Sequence, residues 1–435
     1  MNKDIAQKAL ETALACGASG CRVTLSESTQ TSVSYLNGEI EKLQESTSAA
    51  LGIALFTESR YGAFSTNRFD ESELRPFIRR CIDSCRLLAP DDCRTLPDPS
   101  LYYRGGRPDL EQCDPHFSDI SFKAKTDILE ATDAEVDKSD SRLISTACDW
   151  DDCLRSDYII DSQGLEAESS STFYSVVCEC TVRGHGEARP QNNWMEGSLF
   201  FDRLRSGCGR TAYERTVPMI EARKLNSGKY NIVLENTVSA KAVSAIISAL
   251  NGSSLQQRNS FLIDSLGKRL FPENLLITDN PLVPGRTGSG YFDSEGAATC
   301  ERDIIRDGVV RTYFLNTYFA NKLGMPRTAE DAYAVCFPRN SGLGLEEILR
   351  QTGSGVLITG FNGGNSNPVT GDFSYGIEGW YFENGQRLYP VKEMNLSGDF
   401  LSLWARNTLI GNDPIGFMQW QIPTLAFEGA DISGL

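Results

Sequence analysis

Apolar residues recur at helical spacing from the start of the chain. Ile5, Ala9, Leu10, Ala13 and Leu14 share one face of a helix predicted over about 3–16, with Gly17 placed to stop it. Period-2 alternation then takes over. Cys21–Leu25 and Ser32–Leu36 read as strands, and Asn37-Gly38 turns the second into Glu39–Gln44, a dipeptide that tolerates the positive φ of a two-residue hairpin. Ala49–Phe56 and Tyr61–Ser65 add strands, and a helix over about 71–88 ends before Ala89-Pro90. Residues 90–117, with Pro90, Pro97, Pro99, Gly105-Gly106, Pro108 and Pro115, read as a long connection. Beyond it the pattern predicts a helix over about 119–138 and strands at Arg142–Cys148, Arg155–Ile160, Leu165–Cys180 and Gly197–Arg203. A helix over about 210–225 follows.

The pattern changes near Ser227-Gly228. Tyr230–Glu235 is a strand, and Asn236 or Thr237 is placed to cap a helix that buries Val243, Ile246, Ile247 and Leu250 and ends at Asn251-Gly252. The remainder reads as strands with glycine-rich turns and one helix near Leu345–Thr352. The expected fold class is α+β in two parts. An N-terminal α/β-mixed region over 1–225 divides into 1–90 and 118–225 about the connector, and a β-rich C-terminal domain covers 226–435.

Charge and composition remove several functions. Against 42 Lys+Arg stand 58 Asp+Glu, a net −16, so the counterion release that drives nonspecific nucleic-acid binding is lacking and no direct nucleic-acid partner is expected. The longest apolar run, Ala49–Phe56, falls far short of the ~20 residues that span a bilayer, so no membrane role is expected. The opening segment carries acidic residues and no continuous apolar core, so it does not read as a secretory signal. Thirteen cysteines without regular spacing then read as reduced thiols of a cytoplasmic protein. Only two histidines occur, His116 and His185, which excludes a three-histidine metal site.

Four motifs merit a chemical reading. Cys81 with Cys85 and Cys178 with Cys180 form two thiol pairs, either zinc ligands or buried structural thiols. His185, beside Glu187 in a glycine turn, is a candidate base or an idle solvated side chain, and His116 lies in the connector. Gly353-Ser-Gly355 and Gly360-Phe-Asn-Gly-Gly364 match no phosphate-binding pattern. Asp293-Ser294-Glu295-Gly296 sets two carboxylates around a serine, as a divalent-cation ligand set or an acidic turn. Residues alone define no active site.

A series of segments carries a resemblance: Ser260-Phe-Leu-Ile-Asp-Ser-Leu-Gly267, Phe292-Asp-Ser-Glu-Gly296, Asp303-Ile-Ile-Arg-Asp-Gly308, Thr370-Gly-Asp-Phe-Ser-Tyr-Gly376, Glu383-Asn-Gly385, Pro390-Val391, Gly411-Asn-Asp413, Ile422-Pro-Thr-Leu425 and Ile432-Ser-Gly434. In order and spacing, residues 228–435 resemble the TldD/PmbA family, once described as modulators of DNA gyrase and regarded as a two-subunit metalloprotease. The first half resembles it more loosely, through the opening helix and the Asn37-Gly38-Glu39-Ile40 hairpin. The resemblance implies a TldD subunit with His-Glu-x-x-x-His on a helix and a cysteine near its C-terminus holding zinc. That window aligns here with Val243-Ser244-Ala245-Ile246-Ile247-Ser248, which has neither histidine nor glutamate, and the last cysteine is Cys336. The implied role is therefore the non-catalytic TldE/PmbA-type subunit. It has no catalytic residue, metal ligand or cofactor of its own, and zinc is expected in a TldD-type partner. Small or unfolded polypeptides would be the substrates, and a homodimer is allowed in isolation. Thr370, Gly371, Asp372, Phe373 and Ser374 are the candidate peptide-binding or interface residues, and Val243, Ser244 and Ser248 mark the degenerate window. The alternatives are a stand-alone peptide-binding or scaffold protein, or a hydrolase with non-histidine chemistry.

Overall fold

The structure, a computed structural model, describes residues 2–435. Helix α1 (Lys3–Ala15) leads into strands β1 (Gly20–Leu36), β2 (Glu39–Thr57) and β3 (Arg60–Thr66), then α2 (Glu71–Arg86) and, after the connector, α3 (Phe122–Ala134). Strands β4 (Leu143–Asp161), β5 (Glu166–Val182) and β6 (Gln191–Ser198) and helix α4 (Cys208–Thr216) complete this part. The six strands form one antiparallel sheet in the order β3-β2-β1-β4-β5-β6. Both halves of the N-terminal region thus share a sheet, joined where β1 pairs with β4 from Arg22–Asp161 to Leu36–Ala147.

Alternation decides which face is covered. Val23, Leu25, Ile53 and Leu55 point to one side, under α1 and α2. Val33, Trp150, Tyr174 and Val176 point to that same side, under α3 and α4. The opposite face is rich in Ser, Thr and Asp. At the β1–β2 turn, Asn37 and Gly38 have φ of 50° and 92°, as the sequence predicts. The separate short strands expected over 21–36, 39–56 and 142–160 are instead three continuous ones.

The second part opens with β7 (Gly228–Leu234), α5 (Ala240–Ala249) and α6 (Gly252–Gln256). A small sheet follows, built from β8 (Leu276–Asp279), β9 (Arg302–Arg306), β10 (Val309–Val310) and, after α7 (Thr317–Leu323), β11 (Val335–Cys336). Then come α8 (Leu345–Thr352), β12 (Ser354–Ser366), β13 (Asp372–Glu383), β14 (Gln386–Asp399), α9 (Phe400–Ala405), β15 (Asn407–Ile410) and β16 (Leu425–Ser433). The larger sheet runs β14-β13-β12-β7-β16-β15, and β14 also pairs with β16, which closes five of its strands into a barrel. One face of its strands, including Ile232, Leu234 and Phe427, packs with α5, α9 and the small sheet. The other face, with Val233, Leu357 and Ala426, packs on α8.

The connector is ordered by what it touches. Tyr103 donates its N–H to the Gly296 carbonyl, Arg107 donates to the Thr299 carbonyl at 2.8 Å, and Lys322 bridges Asp91 at 3.0 Å. The Arg94 guanidinium lies 3.4 Å from the Tyr318 ring centre and 4.8 Å from that of Tyr61. Residues 90–117 thus fasten the sheet to the second part. Among the described residues, no helix is long and apolar enough to cross a membrane.

Candidate functional site: a cleft between sheet and barrel

Strand β6 is polar, Gln191-Asn-Asn-Trp-Met-Glu-Gly-Ser198, because one edge has no strand beside it. The bond from the Val182 N–H to the Pro190 carbonyl fixes the phase of the β5–β6 ladder. Gln191, Asn193, Met195 and Gly197 therefore direct their N–H and C=O groups away from β5. That edge borders a cleft against the second part. Cavities of about 510 Å³ (Asn192, Asn362, Glu378, Lys392), 470 Å³ (Trp194, Asn236, Ile415, Phe417) and 240 Å³ (Met195, Thr237, Thr359, Met418) lie along it.

The cleft wall is held by a charge pair that the sequence did not single out. Arg215 on α4 grips Glu235, at the end of β7, with two bonds of 3.0 and 2.7 Å. Its guanidinium also lies 5.2 Å from the Trp194 ring centre. Thr237 donates to Glu235 at 2.5 Å rather than capping α5, whose first turn follows Ser239. Asn236 donates to the Asp413 carbonyl at 2.6 Å, and the Asp413 carboxylate accepts from the Thr424 N–H at 2.9 Å and hydroxyl at 2.8 Å. The segment after Gly411-Asn-Asp413 and the entry to α5 are thus tied together at one end of the cleft.

On α5, Val243 is fully buried, while Ser244 and Ser248 lie on the outer side. The Ser244 hydroxyl donates to the Lys241 carbonyl at 3.2 Å. The Lys241 ammonium in turn lies 4.4 Å from the Tyr375 ring centre, so α5 abuts the β12–β13 hairpin. In its turn, Thr370 donates to Asp372 at 2.6 Å and Gly371 has φ of 81°. A Cβ on Gly371 would stand 3.1 Å from the Phe261 ring, so this close approach favours glycine. Phe373 is buried and its ring centre lies 4.8 Å from that of Phe400, while Ser374 is exposed. The structure therefore places the Thr370–Ser374 segment beside α5 but not along the β6 cleft.

Zinc needs imidazole, thiolate or carboxylate donors. The outer side of α5 offers two serine hydroxyls, and residues 414–418 are Pro-Ile-Gly-Phe-Met, so neither fits such an ion. Among the described residues, no three His, Cys, Asp or Glu side chains group closely enough to hold a metal.

The remaining candidates have structural surroundings. Cys81 and Cys85 are buried under β2, and Cys178 and Cys180 lie in the core beside Cys148. His185 and His116 are exposed and pair with Glu221 at 3.0 Å and Asp119 at 3.2 Å. Asp293 and Glu295 both bind Arg327. Burial pushes the thiols of Cys21 and Cys208 up to about 12 and that of Cys81 up to about 11. Iodoacetamide at pH 8 is accordingly expected to alkylate exposed Cys300 first and to leave these three unmodified while the chain is folded, as peptide mass spectrometry would show. Equal labelling of Cys21 would mean that the sheet opens readily.

Three descriptions match successive parts of the sequence: PmbA/TldA metallopeptidase domain 1 over residues 21–85, the central domain over 115–219 and the C-terminal domain over 227–434. A "Metalloprotease PmbA homolog" of Haemophilus influenzae is 30% identical over 432 residues, covering 98% of this chain and 94% of that protein. A Bacteroides thetaiotaomicron protein, solved as a candidate modulator of DNA gyrase, superposes with a TM-score of 0.97 at 41% identity, covering 100% of this chain and 99% of the other. TldE from Thermococcus kodakarensis shares the fold, with a TM-score of 0.83 at 18% identity over 99% of this chain and 100% of its own.

Proposed function

The chain belongs to the PmbA/TldD metallopeptidase family, and within it we propose that it is the TldE/PmbA-type subunit, non-catalytic by itself, of a cytoplasmic protease whose zinc sits in a TldD-type partner. The observation that carries this reading is α5. Where the resemblance sets His-Glu-x-x-x-His, this chain has Val243, Ser244 and Ser248 among alanine and isoleucine, and it has no cysteine after Cys336. Water activation by a metal requires donors that this helix does not supply. The solved TldE shares the fold.

What the chain brings to the complex is shape. The outward backbone of Gln191, Met195 and Gly197, with the Asn193 carbonyl between them, is suited to pair with an extended small or unfolded polypeptide, since main-chain bonds give affinity without demanding a sequence. The Asn193 N–H is held at 2.9 Å by the Asn192 side chain. Trp194, Ile415 and Phe417 offer apolar area to its side chains. Mixing the purified chain with its TldD-type partner is expected to yield a complex by size exclusion and to degrade an unfolded peptide. The isolated chain should do neither and should hold no zinc by metal analysis. Activity should vanish when the partner's motif glutamate is replaced, yet survive His116→Ala and His185→Ala here. Loss of cleavage on replacing either histidine, with the complex intact, would place a catalytic group on this chain and refute the proposal.

A further inference from the structure

The edge of the first sheet opposite β6 is open along most of β2. β3 pairs with β2 only from Leu51 to Thr57, so residues 39–50 have a neighbour on the β1 side alone. Glu58 and Ser59, with φ of 50° and 58°, form a two-residue turn closed by the Thr57–Arg60 pair. In that geometry, odd-numbered residues of β2 aim their N–H and C=O groups at β3. Carried past the end of β3, the same phase leaves the backbones of Leu43, Glu45, Thr47 and Ala49 pointing out of the sheet. Beyond the register shift opposite Ser34 and Tyr35, Ile40 takes the equivalent place. None of these outward groups has a backbone partner among the described residues. Ile40 and Leu43 are 47% and 50% exposed, and α2 covers β2 only further along, near Ile53 and Leu55.

An edge of this length, free of proline and lined by half-exposed apolar side chains, is a template for another strand. We propose that a TldD-type subunit adds a strand to residues 40–49, continuing this sheet across the subunit boundary; the inference rests on the subunit reading above. Charge selects the occupant. Over 39–45, Glu39, Glu41 and Glu45 stand against Lys42 alone. A second copy laid antiparallel and centred on Leu43 would set Glu41 against Glu45, and one centred on Glu45 would set that residue against itself; like charges across strands oppose these registers. The complement is a strand with basic residues facing Glu41 and Glu45 and apolar ones beside Ile40 and Leu43. Homologous subunits would then pair through an edge that disfavours identical ones.

Hydrogen exchange on this chain, alone and mixed with its TldD-type partner, tests the proposal. Amides of residues 40–49 are expected to exchange at least tenfold more slowly in the complex. Leu43→Pro and Thr47→Pro remove only outward N–H groups, so each should weaken the complex tenfold or more while leaving the thermal midpoint of the isolated chain in place. Should proline lower that midpoint, Glu45→Lys tests the same edge through charge and should also weaken binding. A complex that forms with unchanged exchange over 40–49 overturns this inference and leaves the subunit reading standing. Absence of any complex overturns both. Protection of 40–49 in the chain alone, rising with its concentration, would give the edge to a second copy and overturn the inference.

Discussion

Replacing Arg327 with methionine is expected to destabilise the chain by about 3–5 kcal/mol, the usual cost of removing one partner from a buried ion pair. Arg327 contacts Asp293 and donates to Glu295 at 3.0 Å. The Glu295 oxygen also accepts from the Thr317 N–H at 3.0 Å and hydroxyl at 2.7 Å, which docks α7. Both carboxylates are buried, at 6% and 8% exposure. Without the guanidinium they repel each other and lack solvent, and the Asp293 carboxyl, which burial already holds above its ordinary range, is pushed further up. A raised carboxyl pKa gives stability that is present below the unfolded value and lost as pH rises through the folded one. The variant should thus be closest to the parent near pH 4 and fall progressively behind as pH rises. Urea unfolding at pH 5 and pH 8 measures this, and equal midpoints for variant and parent at pH 8 would contradict it.

Trp404→Ala should cost a similar amount, about 3–5 kcal/mol. The ring is fully buried, with its centre 5.4 Å from that of Phe427, 6.4 Å from Phe337 and 6.5 Å from Phe271. Its indole N–H donates to the Ala242 carbonyl at 3.3 Å, so one side chain joins barrel, small sheet and α5. Truncation removes apolar contact and leaves a cavity that three aromatic neighbours are too rigid to fill. Calorimetry should show a large fall in unfolding temperature, and a Trp404→Phe variant should recover part of it.

The sequence signalled elements best where local chemistry acts alone. Leu345–Thr352 is a helix with the predicted bounds, and Asn37-Gly38 turns as expected. It misled where tertiary cover sets the pattern. Ser26–Gln30 is polar on both sides because the covering helices part above it, so the alternation that marks a strand fades although β1 runs through. Asn251-Gly252, expected to end a helix, ends α5 and begins α6, with the Asn251 side chain capping the second. Pro218 breaks the helix expected over 210–225 into α4 and a 3-10 turn. The strand expected at Gly197–Arg203 begins instead at Gln191, because an edge beside a cleft needs no apolar stripe. Helices α7 and α9 are too short to show a period. In the cleft, Arg215 and Glu235 lie 20 residues apart and meet only through the fold, so no motif announced them.

The seam of the barrel bears on how the chain is made. β16 zips between β7 and β14, and its Asp431 meets Lys229 at 3.3 Å across 202 residues of sequence. Until residues 425–433 have left the ribosome, β7 and β14 each present a bare flank, whereas every strand of the first sheet has already emerged. Contacts so distant in sequence form slowly. Assembly during translation should therefore proceed in two stages, with a long interval in which an unfinished barrel trails a finished sheet. That interval is when the nascent chain would most need a chaperone, and a ribosome stalled shortly before codon 425 would hold it there for inspection.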